Sequence, residues 1–173
     1  MDPPFVGIQT RRFNLRLLND ADASFILGLL NEPDWLKYIG DRGVHTLNDA
    51  KAYIHSGPLA MIKKYGFGLY LVERQEDHMP VGLCGLLQRD GLSWPDIGFA
   101  YCAQFRRQGI AFEVAQATLE YAQSVLGLTK VAALTAINNE ASIGLLRKLG
   151  FAYERQIALT GQAETSNLYF KTL

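Results

Sequence analysis

The run Arg106-Arg107-Gln108-Gly109-Ile110-Ala111 sets two guanidinium groups beside a glycine turn, and a helical pattern starts directly after it. That combination suits an anion of the phosphate kind. The first N–H groups of a helix lack intrahelical partners, and the helix dipole adds positive potential at the same point. Gly109 removes the Cβ that would hold the backbone away from an anion, while Arg106 and Arg107 add charge. Other phosphate motifs are absent: there is no G-x-G-x-x-G and no G-x-x-x-x-G-K-[ST]. On spacing alone a plainer reading stays open, in which glycine merely relieves strain at a helix start.

The flanking segments decide what this turn can do. Asp96-Ile97-Gly98-Phe99-Ala100-Tyr101-Cys102 is extended and apolar, whereas Ala111, Ala115, Leu119, Ala122 and Leu126 recur at helical spacing. A strand therefore feeds the turn and a helix leaves it. Upstream, Arg11 to Leu17 alternates as a half-buried strand, and Asn19 or Asp20 can cap a helix carrying Phe25, Ile26, Leu29 and Leu30. Thr46-Leu47-Asn48-Asp49 reads as a capping box, with the helix broken at Gly57-Pro58. Phe67 to Arg74 and Val81 to Gln88 read as strands, and Asp90-Gly91 is a hairpin signal leading to the strand at Ile97. After the Gly109 helix come a strand, Val131 to Ile137, and a short helix that Asn139 caps and Gly150 stops. Tyr153 to Leu159 and Asn167 to Leu173 close the order as a strand pair.

Composition narrows the class. The 173 residues are 49% apolar, enough for one domain over residues 1–173 with a sizeable core. Seventeen basic and 17 acidic residues cancel, which argues against a partner such as nucleic acid or a membrane surface. Met1-Asp2-Pro3-Pro4 starts no secretory signal and no apolar run is long enough to span a bilayer, so a cytoplasmic location is expected. Cys84 and Cys102 sit in apolar, strand-like segments and read as packing residues. His45 and His78 fall in expected loops without metal-ligand spacing, so no metal is expected.

Arg106, Gly109 and Ala111 occupy the fixed positions of [R/Q]-x-x-G-x-[G/A], which resembles the pyrophosphate signature of the GNAT acetyltransferases. Asn139-Glu140-Ala141-Ser142 with Lys148-Leu149-Gly150-Phe151 is similar to the N-x-x-S…K-L-G-F segment of its RimJ/RimL-like branch, the ribosomal-protein-alanine N-acetyltransferase type. Ile97-Gly98-Phe99 and Gly109-Ile110-Ala111-Phe112-Glu113 look like further motifs of that branch. The resemblance spans the whole element order and implies an α+β, three-layer GNAT fold. Its mixed twisted sheet would have about seven strands, splayed between the fourth and fifth, with helices on both faces.

The resemblance also implies a function: acetyl transfer from acetyl-CoA to a primary amine by direct attack, in a monomer or homodimer. The turn Arg106, Arg107, Gln108, Gly109, Ile110 and Ala111 would hold the coenzyme pyrophosphate, and Phe99, Ala100 and Tyr101 would offer a backbone N–H to the acyl oxygen. Asn139 and Ser142 would reach the coenzyme, although N-capping explains both equally well. Where many members carry a tyrosine as the acid for the departing thiolate, this chain has Leu146, which leaves Ser142 as the substitute. Candidate bases are Asp96, Glu32 and Asp34, each also readable as an ordinary surface charge. Trp35 and Tyr38 would wall an acceptor cleft or anchor their loop. An α-amine of pKa ~8 loses only about 1.4 kcal/mol to protonation at pH 7, against about 4.6 for a lysine. A chain without an obvious strong base therefore suits α-amines, of a protein or peptide, or weakly basic small amines; acetylation of a small-molecule amine or antibiotic, and a non-catalytic acyl-CoA-binding module, stay open beside it.

Overall fold

In the computed structural model the described residues are 7–173; the Met1 to Pro4 opening lies outside them. The first strand expected over Arg11 to Leu17 is β2 (Phe13–Arg16), where Phe13 and Leu15 turn inward at 2% and 1% exposure, and a two-residue strand β1 (Ile8–Gln9) precedes it and pairs with it antiparallel. β1 lengthens the sheet by one strand beyond the seven expected. The sheet order is β1-β2-β3-β4-β5-β6-β8-β7, with β3 Leu69–Arg74, β4 Pro80–Leu87, β5 Asp96–Tyr101, β6 Lys130–Ala136, β7 Ala152–Ile157 and β8 Ser166–Thr172.

Every neighbouring pair is antiparallel except β5 and β6, which run parallel and pair only at Asp96↔Ala132 and Ile97↔Ala133. Beyond Ile97 the two strands part. This is the splay expected between the fourth and fifth strands, shifted by one in number because of β1. Gly82 keeps β4 close along the splayed strand, since a Cβ there would lie 2.3 Å from the Ala100 carbonyl oxygen.

Helices α1 (Ala23–Leu30) and α3 (Leu47–Ile54) cover one face, packing Ile26, Leu30 and Ile54 on Leu71 and Leu83. Helix α5 (Ile110–Ser124) covers the other, with Ile110 and Val114 on Val72, Val81 and Cys84. Helix α6 (Glu140–Lys148) joins α5 on that side through Ile143 and Leu146. Both caps form as the sequence implies: Asn19 accepts from the Ala21 N–H, and Thr46 and Asp49 bond reciprocally at 3.0 Å. Each such cap contributes about 1 kcal/mol.

Two local expectations are corrected. Gly57-Pro58 does not break the chain: a wide helical turn, His55–Leu59, carries it into α4 (Ala60–Tyr65). Pro58 has no N–H to donate, and a locally widened turn tolerates that loss where a regular helix would not. The segment around Trp35 is not a plain loop but helix α2 (Pro33–Tyr38), with Pro33 in its first turn and Lys37 in its last. Proline at the first helical position was the available signal.

Both cysteines are free and buried, and burial pushes each thiol up to about 11. They are packing residues with little thiolate at neutral pH. Among the described residues no helix is long and apolar enough to cross a membrane.

Candidate active site

Where β5 and β6 part, a cleft of about 930 Å³ opens between the α1–α3 side and the start of α5. It is lined by Arg106, Arg107 and residues 109–112, and by residues 134–136 and 138–142. Glu32, Asp34, Trp35, Tyr38, Arg42 and Tyr53 line it as well, with Arg89 and Asp96 beside the strands. The expected coenzyme and acceptor residues thus share one cavity. Their separation in sequence, from Glu32 to Ser142, is closed by the sheet.

The turn before α5 is built for a close backbone approach. Arg107 and Gly109 have φ of 59° and 75°, and the first helical hydrogen bond runs from Glu113 N–H to the Gly109 carbonyl at 3.2 Å. The N–H groups of Ile110, Ala111 and Phe112 are therefore left without helical partners beside the cleft. Arg12 braces the turn from behind. It bonds Glu113 at 2.7 Å and the Gln108 carbonyl at 3.0 Å. The Gln108 side chain reaches the Gln104 carbonyl and lines a different, smaller cavity with Arg12.

On β5, alternation selects which backbone groups face the gap. The Cys102 N–H goes to Val81 of β4, while the Pro95 carbonyl receives Ala132 N–H on the β6 side. Residues an odd step from Cys102 thus point toward β6, so past the last pair at Ile97 the N–H groups of Phe99 and Tyr101 face the opening. Ala100 differs: its backbone faces Leu83 of β4, and only its side of the strand lines the cleft. The Tyr101 side chain is buried at 8% exposure, and burial beside Cys84 raises its hydroxyl pKa well above the ordinary value. What Tyr101 can offer is backbone.

The acids expected to face the acceptor are held by arginines. Arg106 bonds Asp34 through Nη1, lies 3.6 Å from Glu32, and donates to the Tyr101 carbonyl at 3.2 Å. Glu32 also accepts from the Ala103 N–H at 3.1 Å. Trp35, 7% exposed, anchors α2 in the core while edging the cleft; Tyr38 is half-buried on its wall. Asp96 is 1% exposed and receives Arg89 Nε at 3.0 and 3.1 Å. Burial raises its carboxyl to about 6, against the pull of Arg89. Arg89 was not foreseen, although the Asp90-Gly91 hairpin, which pairs Leu87 with Asp96, could have suggested it.

The sequence model of the acetyltransferase (GNAT) domain matches residues 12–152. The chain belongs to the GNAT acetyltransferase family. It is similar to two Bacillus subtilis (strain 168) proteins, the uncharacterized protein YkkB (29% identical, covering 86% of both chains) and the uncharacterized N-acetyltransferase YoaA (29% identical, covering 87% of this chain and 85% of that one). In fold it is similar to an acetyltransferase from Agrobacterium tumefaciens str. C58, with a TM-score of 0.83 at 19% identity over 100% of this chain and 98% of that one. The ribosomal-protein-S5-alanine acetyltransferase of Vibrio fischeri gives 0.77 at 18% identity over 97% of each chain. The spermidine N-acetyltransferase of Vibrio cholerae, in complex with CoA and spermine, gives 0.75 at 18% identity over 92% and 95%. At such identities the structural likeness concerns the fold.

As a GNAT domain the chain is an acetyl-CoA-dependent acyltransferase. Its cleft fits such a coenzyme: helix-start amides and Arg107 at the turn before α5, and strand amides of Phe99 and Tyr101 at the gap. No tyrosine acid stands on α6. Leu146 is 1% exposed and packs with Ile97, Leu119 and Val131, so that face of the helix belongs to the core. Asn139 uses its side-chain oxygen to cap α6 at the Ser142 N–H, 3.3 Å away, and still lines the cleft. Ser142 is half-buried beside it, and its hydroxyl makes no hydrogen bond among the described residues. Among the described residues no group of His, Cys, Asp or Glu is gathered that could hold a metal ion.

Proposed function

We propose that this protein acetylates the α-amino group of a peptide or a small molecule. The observation that carries the reading is the ion pairing of the acceptor-side acids: Glu32 and Asp34 lie with Arg106, and Asp96 lies with Arg89. Asp96, raised to about 6, is still only a modest base, and a site whose acids are tied to arginines serves an amine with an appreciable neutral fraction near pH 7. An α-amine meets that condition and a lysine does not.

Bound acetyl-CoA supplies an acetyl group activated as a thioester. The acceptor amine forms the new C–N bond while the C–S bond breaks, and the amine proton is lost. The Phe99 or Tyr101 N–H stabilises the developing oxyanion, a donor worth about 3–4 kcal/mol in such sites. The Arg107 side chain and the amides of 109–111 hold the pyrophosphate. Ser142 donates toward the departing sulfur. A thiol of pKa ~8.5 leaves tolerably unaided, so this help is modest. Asp96, with its raised carboxyl, receives the amine proton. The RimJ/RimL-like segment Asn139 to Phe151 supports a peptide α-amine.

Mass spectrometry of peptides with one free terminus and one lysine tests the reading. The expected result is α-acetylation ahead of ε-acetylation by more than ~10-fold. Predominant ε-acetylation overturns it.

A further inference from the structure

The acceptor side of the cleft carries a cation that no ion pair among the described residues neutralises. Arg42 is exposed on the loop between α2 and α3, lines the cleft, and has no hydrogen bond or ion pair among the described residues. Arg89, on the same wall, spends only its Nε on Asp96, at 3.0 and 3.1 Å. Its two terminal nitrogens are left without partners among the described residues. Tyr53 lies within the field of both: burial raises its hydroxyl pKa, and the charges of Arg42 and Arg89 oppose that rise. The acids nearby are already bonded, Glu32 and Asp34 with Arg106 and Asp96 with Arg89. Of the acids among the described residues lining the cleft only Glu140, at the start of α6, has no ion pair, and a polycationic acceptor entering beside Arg42 meets guanidinium groups. A carboxylate meets fork-shaped donors in a partly desolvated wall, the setting in which arginine recognises it best.

We propose that the acceptor bears a carboxylate close to its reacting amine, and that Arg42 and the terminal nitrogens of Arg89 receive it. The inference rests on the N-acetyltransferase reading above and narrows its substrate class. A free amino acid and a peptide with an acidic residue beside its terminus both present this chemistry. The same pairing of charges disfavours polyamines and aminoglycosides, whose added ammonium groups would face Arg42.

Thiol release from acetyl-CoA, referred to the neutral-amine fraction of each acceptor, tests the proposal with matched pairs. One pair is a free amino acid and its amide; the second is a peptide with Asp in second place and its Asn counterpart; spermidine is the polycation. The carboxylate member of one pair is expected to lead by tenfold or more in kcat/KM, and whichever pair shows it identifies the source. Arg42→Gln should reduce that lead by about tenfold, through KM rather than kcat, and Arg42→Lys should restore part of it. Far-UV circular dichroism checks that the variants fold. Equal rates within both pairs, preference for spermidine, or a lead that Arg42→Gln leaves intact overturns the proposal. If acetyl-CoA binds but no amine of the panel is acetylated, the N-acetyltransferase reading itself fails, and the inference with it.

Discussion

Arg106 Nη1 is hydrogen-bonded to the Asp34 carboxylate, which ties the turn before α5 to helix α2 across the wall of the cleft. The pair is 39% and 47% exposed, so its direct worth to stability is about 0–1 kcal/mol. Its larger effect is on charge. Asp34 and Glu32 offset the guanidinium that the sequence assigns to the coenzyme.

Asp34→Asn is therefore expected to move coenzyme and acceptor binding in opposite directions. Freed from its partner, Arg106 should tighten coenzyme A binding by up to about 5-fold, the equivalent of ~1 kcal/mol. The acceptor KM should rise as α2 loosens, and Tm should change by no more than about 4 °C. Calorimetric titration with coenzyme A beside steady-state kinetics reads both; weaker coenzyme binding would show that Arg106 serves α2 alone.

Gly109→Glu should abolish acetyl-CoA binding in a folded protein. At φ +75° any side chain costs about 1–2 kcal/mol, yet a Cβ would meet only Arg12 Nη2, at 3.6 Å, so the fold tolerates it. The carboxylate would stand where an anion is expected. Unchanged affinity in a calorimetric titration of the folded variant would sink the assignment of this turn.

Ser142→Ala should lower kcat by ~10–100-fold, at or below the usual range for acid–base help, with coenzyme A affinity nearly unchanged. The hydroxyl does not cap α6, because Asn139 does, so stability should hold. Wild-type turnover in the variant would reduce Ser142 to a helix-start residue.

Asp96 carries a pH signature. Folding raises its carboxyl from 3.8 to about 6, so the native state holds this proton more tightly than the unfolded chain. Its contribution thus favours the fold at low pH and is lost as pH climbs from about 4 to about 6. If Asp96 takes the amine proton, kcat should rise with pH through an inflection near 6, and Asp96→Asn should remove that inflection and slow turnover. A variant that loses stability but keeps the pH–rate profile would mark Asp96 as purely structural, the partner of Arg89.

The legible parts of the fold were those that local chemistry controls. Asn19, Thr46 and Asn139 can bond only nearby N–H groups, so their caps follow from spacing, and Gly150 ends α6 at φ +90° as a glycine there should. Pro58 was misread because proline breaks regular helices, whereas a wide turn absorbs its missing donor.

By itself the sequence determined the order of the main strands and helices apart from β1, α2 and α4, the glycine turn that opens α5 at Gly109, and the family, because periodicity, capping and motif spacing are written over a few residues at a time. Tertiary structure alone decided the state of the charges. Arg106 meets Asp34 across 72 positions and Arg12 meets Glu113 across 101, separations over which no local pattern operates. It also decided that Asp96 is buried against Arg89, that Leu146 belongs to the core, and that Arg42 lines the cleft without an ion pair among the described residues. Proton affinity and charge compensation depend on desolvation and on distances of a few ångströms, and only the folded sheet sets those.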